Sequence, residues 1–398
     1  MREDGSVVVW GDKHRDSGGL SPAELKSFDV SGVNVVDVSS ELDGTIDVIE
    51  IIPNGESYAA LREDGSVVVW GHQNYGGALF DSNGSSIADK VDGTIDVTQI
   101  IGNTHSFAAL REDGTVITWG YSGFGGDSSS VASKITTKTD AAFSAVTDIS
   151  ATGTAFAAIR SDGSVVTWGA QSIEGNSIAD QLKSGVDQIV SNLVAFAALK
   201  DNGSVITWGN DESGGDSSRV SEHLESGVEQ IFSNSFAFAA LKDDGSVVTW
   251  GENISGGDSS SVSENLQSGV ARIYSNFRSF AALKDDGSVI TWGHGESGGD
   301  SSSVREDLKE GVTHISATSF FAFAARKDDG SVVTWGTPYF GGDSSDVRHQ
   351  LEDGVVSFAD PFYDDRLVNE LGPRGESSES LSLTIDTTAP VFSSGATA

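Results

Sequence analysis

Five aspartates at repeating loop positions are the first candidates for chemistry in this sequence. Each follows a Gly-Gly pair and precedes Ser-Ser; they are Asp127, Asp216, Asp258, Asp300 and Asp343. Carboxylate and hydroxyl oxygens are the ligands that a hard cation such as Ca²⁺ prefers. The same Asp-Ser order also caps a short helical turn, because the side-chain oxygen accepts backbone N–H groups. The pattern therefore predicts a capping role, with a Ca²⁺ site as the alternative.

A second set of candidates lies in the short segments that follow each Trp-Gly pair. These segments differ from one another, whereas the residues around them are nearly identical. They contain the aromatic residues Tyr121, Phe124, Tyr339 and Phe340. Variable loops on a rigid scaffold are where binding evolves, and exposed aromatic side chains contribute disproportionately to interfaces. We interpret these four residues as binding residues, with coverage of sheet edges as the alternative.

Catalytic motifs are not evident elsewhere in the sequence. The chain has no Cys, which excludes thiol nucleophiles and thiolate metal sites. Its seven His are scattered, and only His72 and His294 share a repeat position. Catalytic groups are usually unique rather than repeated, so we predict no enzymatic activity. A hydrolase or lyase acting on polysaccharide is kept as the third-ranked hypothesis.

The candidate loops belong to a repeat that accounts for most of the chain. The string Lys-Asp-Asp-Gly-Ser-Val-Val-Thr-Trp-Gly at 242–251 recurs with small changes. Successive copies are separated by 40 to 60 residues, with a basic period of about 42, which is typical of propellers and solenoids. The eight Trp residues all occupy the same place in the repeat: Trp10, Trp70, Trp119, Trp168, Trp208, Trp250, Trp292 and Trp335.

Within each repeat the side chains alternate with the period of β-strands. Residues 236–241 and 247–250 predict two strands, and 228–233 predicts a third strand before them. Asp244-Gly245 lies between the strands predicted at 236–241 and 247–250. This pair predicts a two-residue type I′ turn, because Gly adopts positive φ without steric cost.

The linking segments predict how the sheets are joined. Ser261 and Glu264 have capping-box spacing, which predicts one short helical turn between a Gly-rich loop and the next strand. Paired alanines such as Ala239-Ala240 suit strands crowded near a central axis, while Phe and Trp fill the wider space between neighbouring sheets. We therefore predict an all-β propeller of antiparallel blades, with the Trp residues packed between blades.

The repeat resembles the regulator of chromosome condensation repeat, in a form common in bacterial proteins. The resemblance lies in an apolar strand, then Phe-Ala-Ala-Leu-Lys-Asp-Asp-Gly-Ser-Val, Trp-Gly and a Gly-Gly loop, and it covers residues 1 to about 356. It implies a β-propeller, usually with seven blades. Seven units contain all three strands, and the eighth Trp-Gly belongs to a truncated copy at 1–11. We predict seven blades; in the alternative, 354–359 completes the truncated copy and the ring has eight.

Three segments follow from this reading. The propeller spans 1–356 and a linker spans 357–378. The segment 379–398 contains an alternating stretch and then Pro390, and it resembles the start of an immunoglobulin-like or cadherin-like module of bacterial surface proteins. Because the first repeat begins in mid-unit and the last module only begins, we expect the chain to be a fragment of a larger product.

The charge balance restricts the class of partner. The chain has 24 Lys and Arg against 59 Asp and Glu, which gives a net charge of −35. Binding to nucleic acid requires clustered cationic surface, so we predict no nucleic-acid partner. The same charge opposes the chromatin contact expected of the nuclear exchange factors in the resembled family. No run of 18 apolar residues and no export signal occur in the sequence.

These observations favour a non-enzymatic interaction module, adhesive or structural, within a large secreted or cell-surface bacterial protein. The expected partner is a protein or a surface glycan. The expected location is extracellular, where Ca²⁺ is abundant. The resembled family also includes secreted propellers that inhibit β-lactamases. An enzyme inhibitor of that kind is therefore the alternative function.

Overall fold

The computed structural model describes residue 38, residues 41–136, 144–170 and 178–355, and residue 358. Within this part of the chain, seven antiparallel sheets of three strands follow one another, and the strands of each sheet pair in chain order. We call the sheets blades 1 to 7. The all-β blade architecture predicted from the repeat is thereby confirmed. The truncated copy at 1–11, residues 356, 357 and 359 of the segment 354–359, and the predicted module at 379–398 lie outside the described residues.

Each blade has a first, a middle and a last strand. The first strands are β1 (Val48–Pro53), β4 (Val97–Gly102), β7 (Val146–Ala151), β10 (Val186–Ser191), β13 (Val228–Ser233), β16 (Val270–Ser275) and β19 (Val312–Ala317). The middle strands are β2 (Ser57–Arg62), β5 (Ser106–Arg111), β8 (Ala155–Arg160), β11 (Ala195–Lys200), β14 (Ala237–Lys242), β17 (Ser279–Lys284) and β20 (Ala322–Lys327). The last strands are β3 (Val67–Gly71), β6 (Val116–Gly120), β9 (Val165–Gly169), β12 (Val205–Gly209), β15 (Val247–Gly251), β18 (Val289–Gly293) and β21 (Val332–Gly336).

Short helices occupy the connections between blades. Two are single α-helical turns, α1 (Ala132–Ile135) and α2 (Ile178–Gln181). The 3₁₀ helices are Gln73–Tyr75, Ala88–Lys90, Ser122–Phe124, Ser129–Val131, Asp211–Ser213, Ser218–His223, Asn253–Ser255, Ser260–Leu266, Gly295–Ser297, Ser302–Val304, Pro338–Phe340 and Ser345–Gln350.

The hydrophobic core lies between consecutive blades rather than within any one of them. In blade 5, Phe238 and Ala240 of β14 pack against Ala197 of blade 4. The alternate residues of the same strand, including Ala239 and Leu241, pack against blade 6. A three-stranded sheet has two apolar faces here because each face is buried by a neighbour. The alternation read from the sequence is therefore confirmed.

Six Trp residues pack between consecutive described blades, as predicted: Trp119, Trp168, Trp208, Trp250, Trp292 and Trp335. Trp70 packs with residues of blade 1 and of the segment before it. Trp250 stacks on Phe238 with ring centroids 5.3 Å apart, and its Nε1 donates to the carbonyl of Gly214 in the preceding blade at 3.1 Å. Gly214 has a φ of +101°, and a Cβ atom there would lie 2.6 Å from the Phe238 ring. The same Trp-to-Gly hydrogen bond is made by Trp119, Trp168, Trp292 and Trp335. Trp10 lies outside the described residues.

The turn between the middle and last strands differs from the prediction. A type I′ turn needs positive φ at both central residues, but every residue with positive φ in the described part of the chain is a glycine. Gly245 N–H donates to the Lys242 carbonyl, and Lys242 N–H donates to the Ser246 carbonyl, both at 2.9 Å. The loop therefore has three residues, a type I turn followed by a left-handed Gly245. Asp244 Oδ1 accepts the Ser246 N–H at 2.9 Å.

The helical turn after the Gly-rich loop is confirmed, but the predicted capping box of Ser261 and Glu264 is not what starts it. The 3₁₀ helix Ser260–Leu266 has Ser259 at its N-cap position, and the Ser259 side chain makes no capping hydrogen bond. Asp258 Oδ1 instead accepts the N–H of Ser260 at 2.9 Å. Because the carboxylate two residues earlier already satisfies this N–H, the capping-box pair Ser261 and Glu264 is not the device that starts the helix.

A line of backbone hydrogen bonds joins the blades at the turns between first and middle strands. The N–H of Phe277 donates to the carbonyl of Phe320 at 3.1 Å, and the N–H of Ser235 donates to that of Phe277 at 3.3 Å. The line continues back through Leu193, Gly153, Thr104 and Gly55. These turns therefore have a fixed register from blade to blade.

Candidate functional site: an aromatic loop face

A buried asparagine ties together the two variable segments of a blade. Asn276 Oδ1 accepts the N–H groups of Arg278 at 3.1 Å and Ser279 at 3.0 Å. Its Nδ2 donates to the carbonyl of Ser297 at 2.6 Å. The turn after the first strand and the segment after Trp-Gly are thereby fixed at the same end of the blade. Equivalent bonds are made by Asn54, Asn103, Asn192 and Asn234. We call this end of the blades the loop face.

Five aromatic residues of blades 6 and 7 form a continuous group on the loop face. We call them the Phe cluster: Phe277, Phe320, Phe321, Tyr339 and Phe340. Ring centroids are 5.8 Å apart for Phe277 and Phe321, 5.2 Å for Phe321 and Phe340, and 5.6 Å for Phe320 and Phe340. Tyr339 is 92% exposed and Phe320 is 51% exposed. A contiguous exposed apolar patch of this kind marks an interaction site more often than a structural surface.

Charged groups border the Phe cluster on the side of blade 5. The Phe236 ring lies 5.7 Å from that of Phe277, and the Arg278 guanidinium lies 5.1 Å from the Phe236 centroid. The Nη2 atom of Arg278 lies 3.8 Å from Glu252 Oε2. The arrangement has an apolar centre with a polar rim, which is the organisation of protein interfaces.

A second aromatic group lies on blades 1 and 2. We call it the Tyr cluster: Tyr75, His105, Tyr121 and Phe124. Tyr75 and His105 have ring centroids 4.3 Å apart, and His105 and Phe124 have centroids 5.3 Å apart. Tyr121 packs edge-on against Phe124 at 5.1 Å and is 44% exposed. His105 Nε2 lies 3.7 Å from Glu56 Oε1.

The four aromatic residues singled out from the sequence thus fall into two groups. Tyr121 and Phe124 belong to the Tyr cluster, and Tyr339 and Phe340 belong to the Phe cluster. Sequence reasoning missed Phe277, Phe320 and Phe321, which contribute most of the Phe cluster. A comparison of the turn residues across repeats would have found them, because aromatic residues follow Asn276 and Ser319 where earlier blades have Thr104, Leu193 and Ser235.

The five loop aspartates all make the same hydrogen bond. In each, Oδ1 accepts the N–H of the Ser two residues later at 2.9 Å: Asp127, Asp216, Asp258, Asp300 and Asp343. This backbone hydrogen bond is the main cause that lowers the pKa of all five carboxyls. In the described residues, no group of three or more His, Asp or Glu is placed to hold a metal ion. Capping accounts for the observed geometry, and Ca²⁺ binding stays a prediction.

Comparisons with other proteins give similarity to solved propellers at low identity. No protein-family model matches the chain, and no curated protein matches it. The CRINKLY WD40 ectodomain of the Arabidopsis thaliana receptor kinase ACR4 is 16% identical, with 63% of this chain and 81% of that chain covered and a TM-score of 0.35. Prp20p from Saccharomyces cerevisiae is 16% identical, with 73% and 72% covered and a TM-score of 0.34. Yeast RCC1 (Prp20) bound to Kap60 is 15% identical, with 78% and 74% covered and a TM-score of 0.36.

The blade architecture follows from the seven three-stranded sheets themselves. As for membranes, every helix in the described part of the chain falls short of the length and apolar character needed to cross a bilayer.

Proposed function

We propose that this chain is a non-enzymatic protein-interaction propeller that binds its partner through the Phe cluster on the loop face. The observation that carries the proposal is the exposure of Tyr339 at 92% beside the packed rings of Phe340, Phe320 and Phe321. Aromatic anchors at the centre of an interface account for much of its binding energy.

The scaffold beneath the Phe cluster supports this role. Phe277 and Phe320 are adjacent members of the backbone hydrogen-bond line between blades, and Asn276 fixes the turn that carries Phe277. Side chains on such a restrained turn lose little conformational freedom when a partner binds. The cluster is therefore organised for binding before the partner arrives.

The setting that we propose is a large secreted or cell-surface bacterial protein, in which the propeller has an adhesive or structural role. The net charge of −35 supports an exterior setting, since salt and divalent cations there screen the self-repulsion of an acidic protein. An enzyme inhibitor would use the same loop face, so the identity of the captured partner separates the two functions.

The test compares partner capture by the wild-type chain and by the double variant Tyr339→Ser/Phe340→Ser. Surface and secreted proteins of the source organism are passed over each immobilised chain. Any protein retained by the wild type is purified, and its dissociation constant is measured by surface plasmon resonance. Loss of two anchors worth about 2 kcal/mol together should weaken binding about thirtyfold.

A matched control is the double variant Tyr121→Ser/Phe124→Ser in the Tyr cluster. This variant removes the same kind of side chain from the same face, but on blades 1 and 2, outside the Phe cluster. If the Phe cluster is the binding site, this variant should bind the partner as the wild type does. Circular dichroism and melting temperature establish that both variants are folded. Equal binding by the Phe-cluster variant and the wild type would overturn the proposal.

A further inference from the structure

One arginine lies among the variable residues of the loop face, in a chain that is strongly acidic overall. The described variable segments of this face are 54–57, 72–75, 103–106, 121–124, 152–155, 192–195, 210–213, 234–237, 252–255, 276–279, 294–297, 318–321 and 337–340. Within these segments Arg278 is the one Lys or Arg. They contain five carboxylates: Glu56, Asp211, Glu212, Glu252 and Glu296. Arg278 directly follows Phe277, so this cation lies at the border of the Phe cluster.

The backbone and the side chain of Arg278 are both held in place. Its N–H donates to Asn276 Oδ1 at 3.1 Å, and its carbonyl accepts the N–H of His294 at 3.0 Å. The guanidinium lies 5.1 Å from the centroid of the Phe236 ring, which is within the range of a cation–π contact. The side chain is still 30% exposed. A partner can therefore reach a guanidinium whose position is already fixed.

The donors of this guanidinium are not fully used within the described part of the chain. Its Nε is buried and has no hydrogen-bond partner there. Glu252 Oε2 lies 3.8 Å from Nη2, which is longer than a hydrogen bond. That carboxylate oxygen instead accepts the hydroxyl of Ser255. Because Glu252 is held by Ser255 and makes no direct hydrogen bond to Arg278, the guanidinium keeps donors for an anionic group of a partner.

We infer that the partner bound by the Phe cluster presents an Asp or Glu carboxylate beside its apolar side chains, and that Arg278 selects this carboxylate. The inference rests on the function proposed above. Apolar side chains would pack on the exposed rings of Phe320, Phe340 and Tyr339, and the carboxylate would pair with the guanidinium.

The selectivity follows from the charges of the loop face. A hydrogen bond between a guanidinium and a carboxylate is charge-assisted, and it is stronger than one between neutral groups. The five carboxylates of the variable segments repel further acidic groups. The site therefore selects a single acidic residue next to Arg278 rather than an acidic segment.

The probes for this inference are labelled pentapeptides of leucine, phenylalanine and serine in which one position, scanned along the peptide, is aspartate, asparagine or lysine. Binding to the full chain is followed by fluorescence anisotropy. The tightest aspartate peptide should bind about fivefold more tightly than its asparagine match. The net charge of −35 favours the opposite order, with the lysine peptide tightest. Attraction to the overall charge therefore cannot produce the expected result.

The matched variants are Arg278→Gln and Arg305→Gln. Arg305 is exposed in the connection after blade 6, where it interacts electrostatically with Asp300, so both changes alter the net charge equally. Arg278→Gln should reduce the preference for aspartate over asparagine to about onefold, whereas Arg305→Gln should keep it at about fivefold. Melting temperatures establish that both variants are folded. The same preference in the two variants would overturn the inference.

The variant Tyr339→Ser/Phe340→Ser separates this inference from the proposed function. It should weaken binding of every peptide, because the Phe cluster supplies the apolar contacts in each case. If it does so while the wild type binds the aspartate and asparagine peptides equally, the inference is overturned and the proposed binding site stands. If no peptide binds the wild type, the inference is overturned as well, and partner capture still tests the proposed function by itself.

Discussion

Replacing Asn276 with alanine tests whether the loop face is held in place by side-chain hydrogen bonds. Asn276 is only 6% exposed. The change removes the acceptor for the N–H groups of Arg278 and Ser279 and the donor to the Ser297 carbonyl. With about 1 kcal/mol for each hydrogen bond lost, the free energy of unfolding should fall by about 3 kcal/mol.

The chain itself offers a variant that separates these contributions. Blade 3 has Thr152 at the equivalent position, and its Oγ1 accepts the Ala155 N–H at 3.1 Å. Asn276→Thr should therefore keep part of the turn while losing the bond to Ser297. We expect it to reduce the free energy of unfolding by about half as much as Asn276→Ala.

Urea unfolding followed by Trp fluorescence measures both variants, with Asn253→Ala as the control at an exposed residue of a 3₁₀ helix. The control should stay within about 0.5 kcal/mol of the wild type. Should Asn276→Ala also stay within that range, the hydrogen bonds of Asn276 do not hold the loop face, and the argument for a preorganised Phe cluster fails.

Three further predictions concern the core and the loop aspartates. Trp250→Ala should reduce the free energy of unfolding by about 3–5 kcal/mol, and Trp250→Phe by about 1 kcal/mol through loss of the bond to Gly214; equal melting curves would contradict the interblade packing. The Ser260 N–H lowers the pKa of Asp258 from its ordinary value of 3.8. Its contribution to stability is therefore present above that value and is lost as the pH falls through the folded-state pKa. Asp258→Asn should accordingly lose less stability than the wild type on acidification from about pH 5 to about pH 3, as measured by urea unfolding at each pH. If the loop aspartates bind Ca²⁺, millimolar Ca²⁺ should raise the melting temperature more than a sodium salt at matched ionic strength, and identical curves would leave only capping.

Much of the fold could be predicted from the sequence, because its determinants are local. The two-residue alternation in residues 236–241 follows from the geometry of a strand with two buried faces. The recurrence of Trp at one place in every copy shows that one sheet is repeated. The turn was mispredicted because Asp-Gly alone favours a two-residue loop. The hydrogen bonds of Lys242 show that Asp243 also belongs to the loop, and this depends on the strand register, which is set by packing on both faces.

The candidate site required tertiary structure because its residues lie in segments that are separated in the sequence. Tyr339 and Phe340 were visible as variable aromatic residues, but their contact with Phe320 and Phe321 depends on how two segments of blade 7 meet at one end. Local patterns determine which strands form, whereas the packing of one blade on the next determines which loop residues become neighbours.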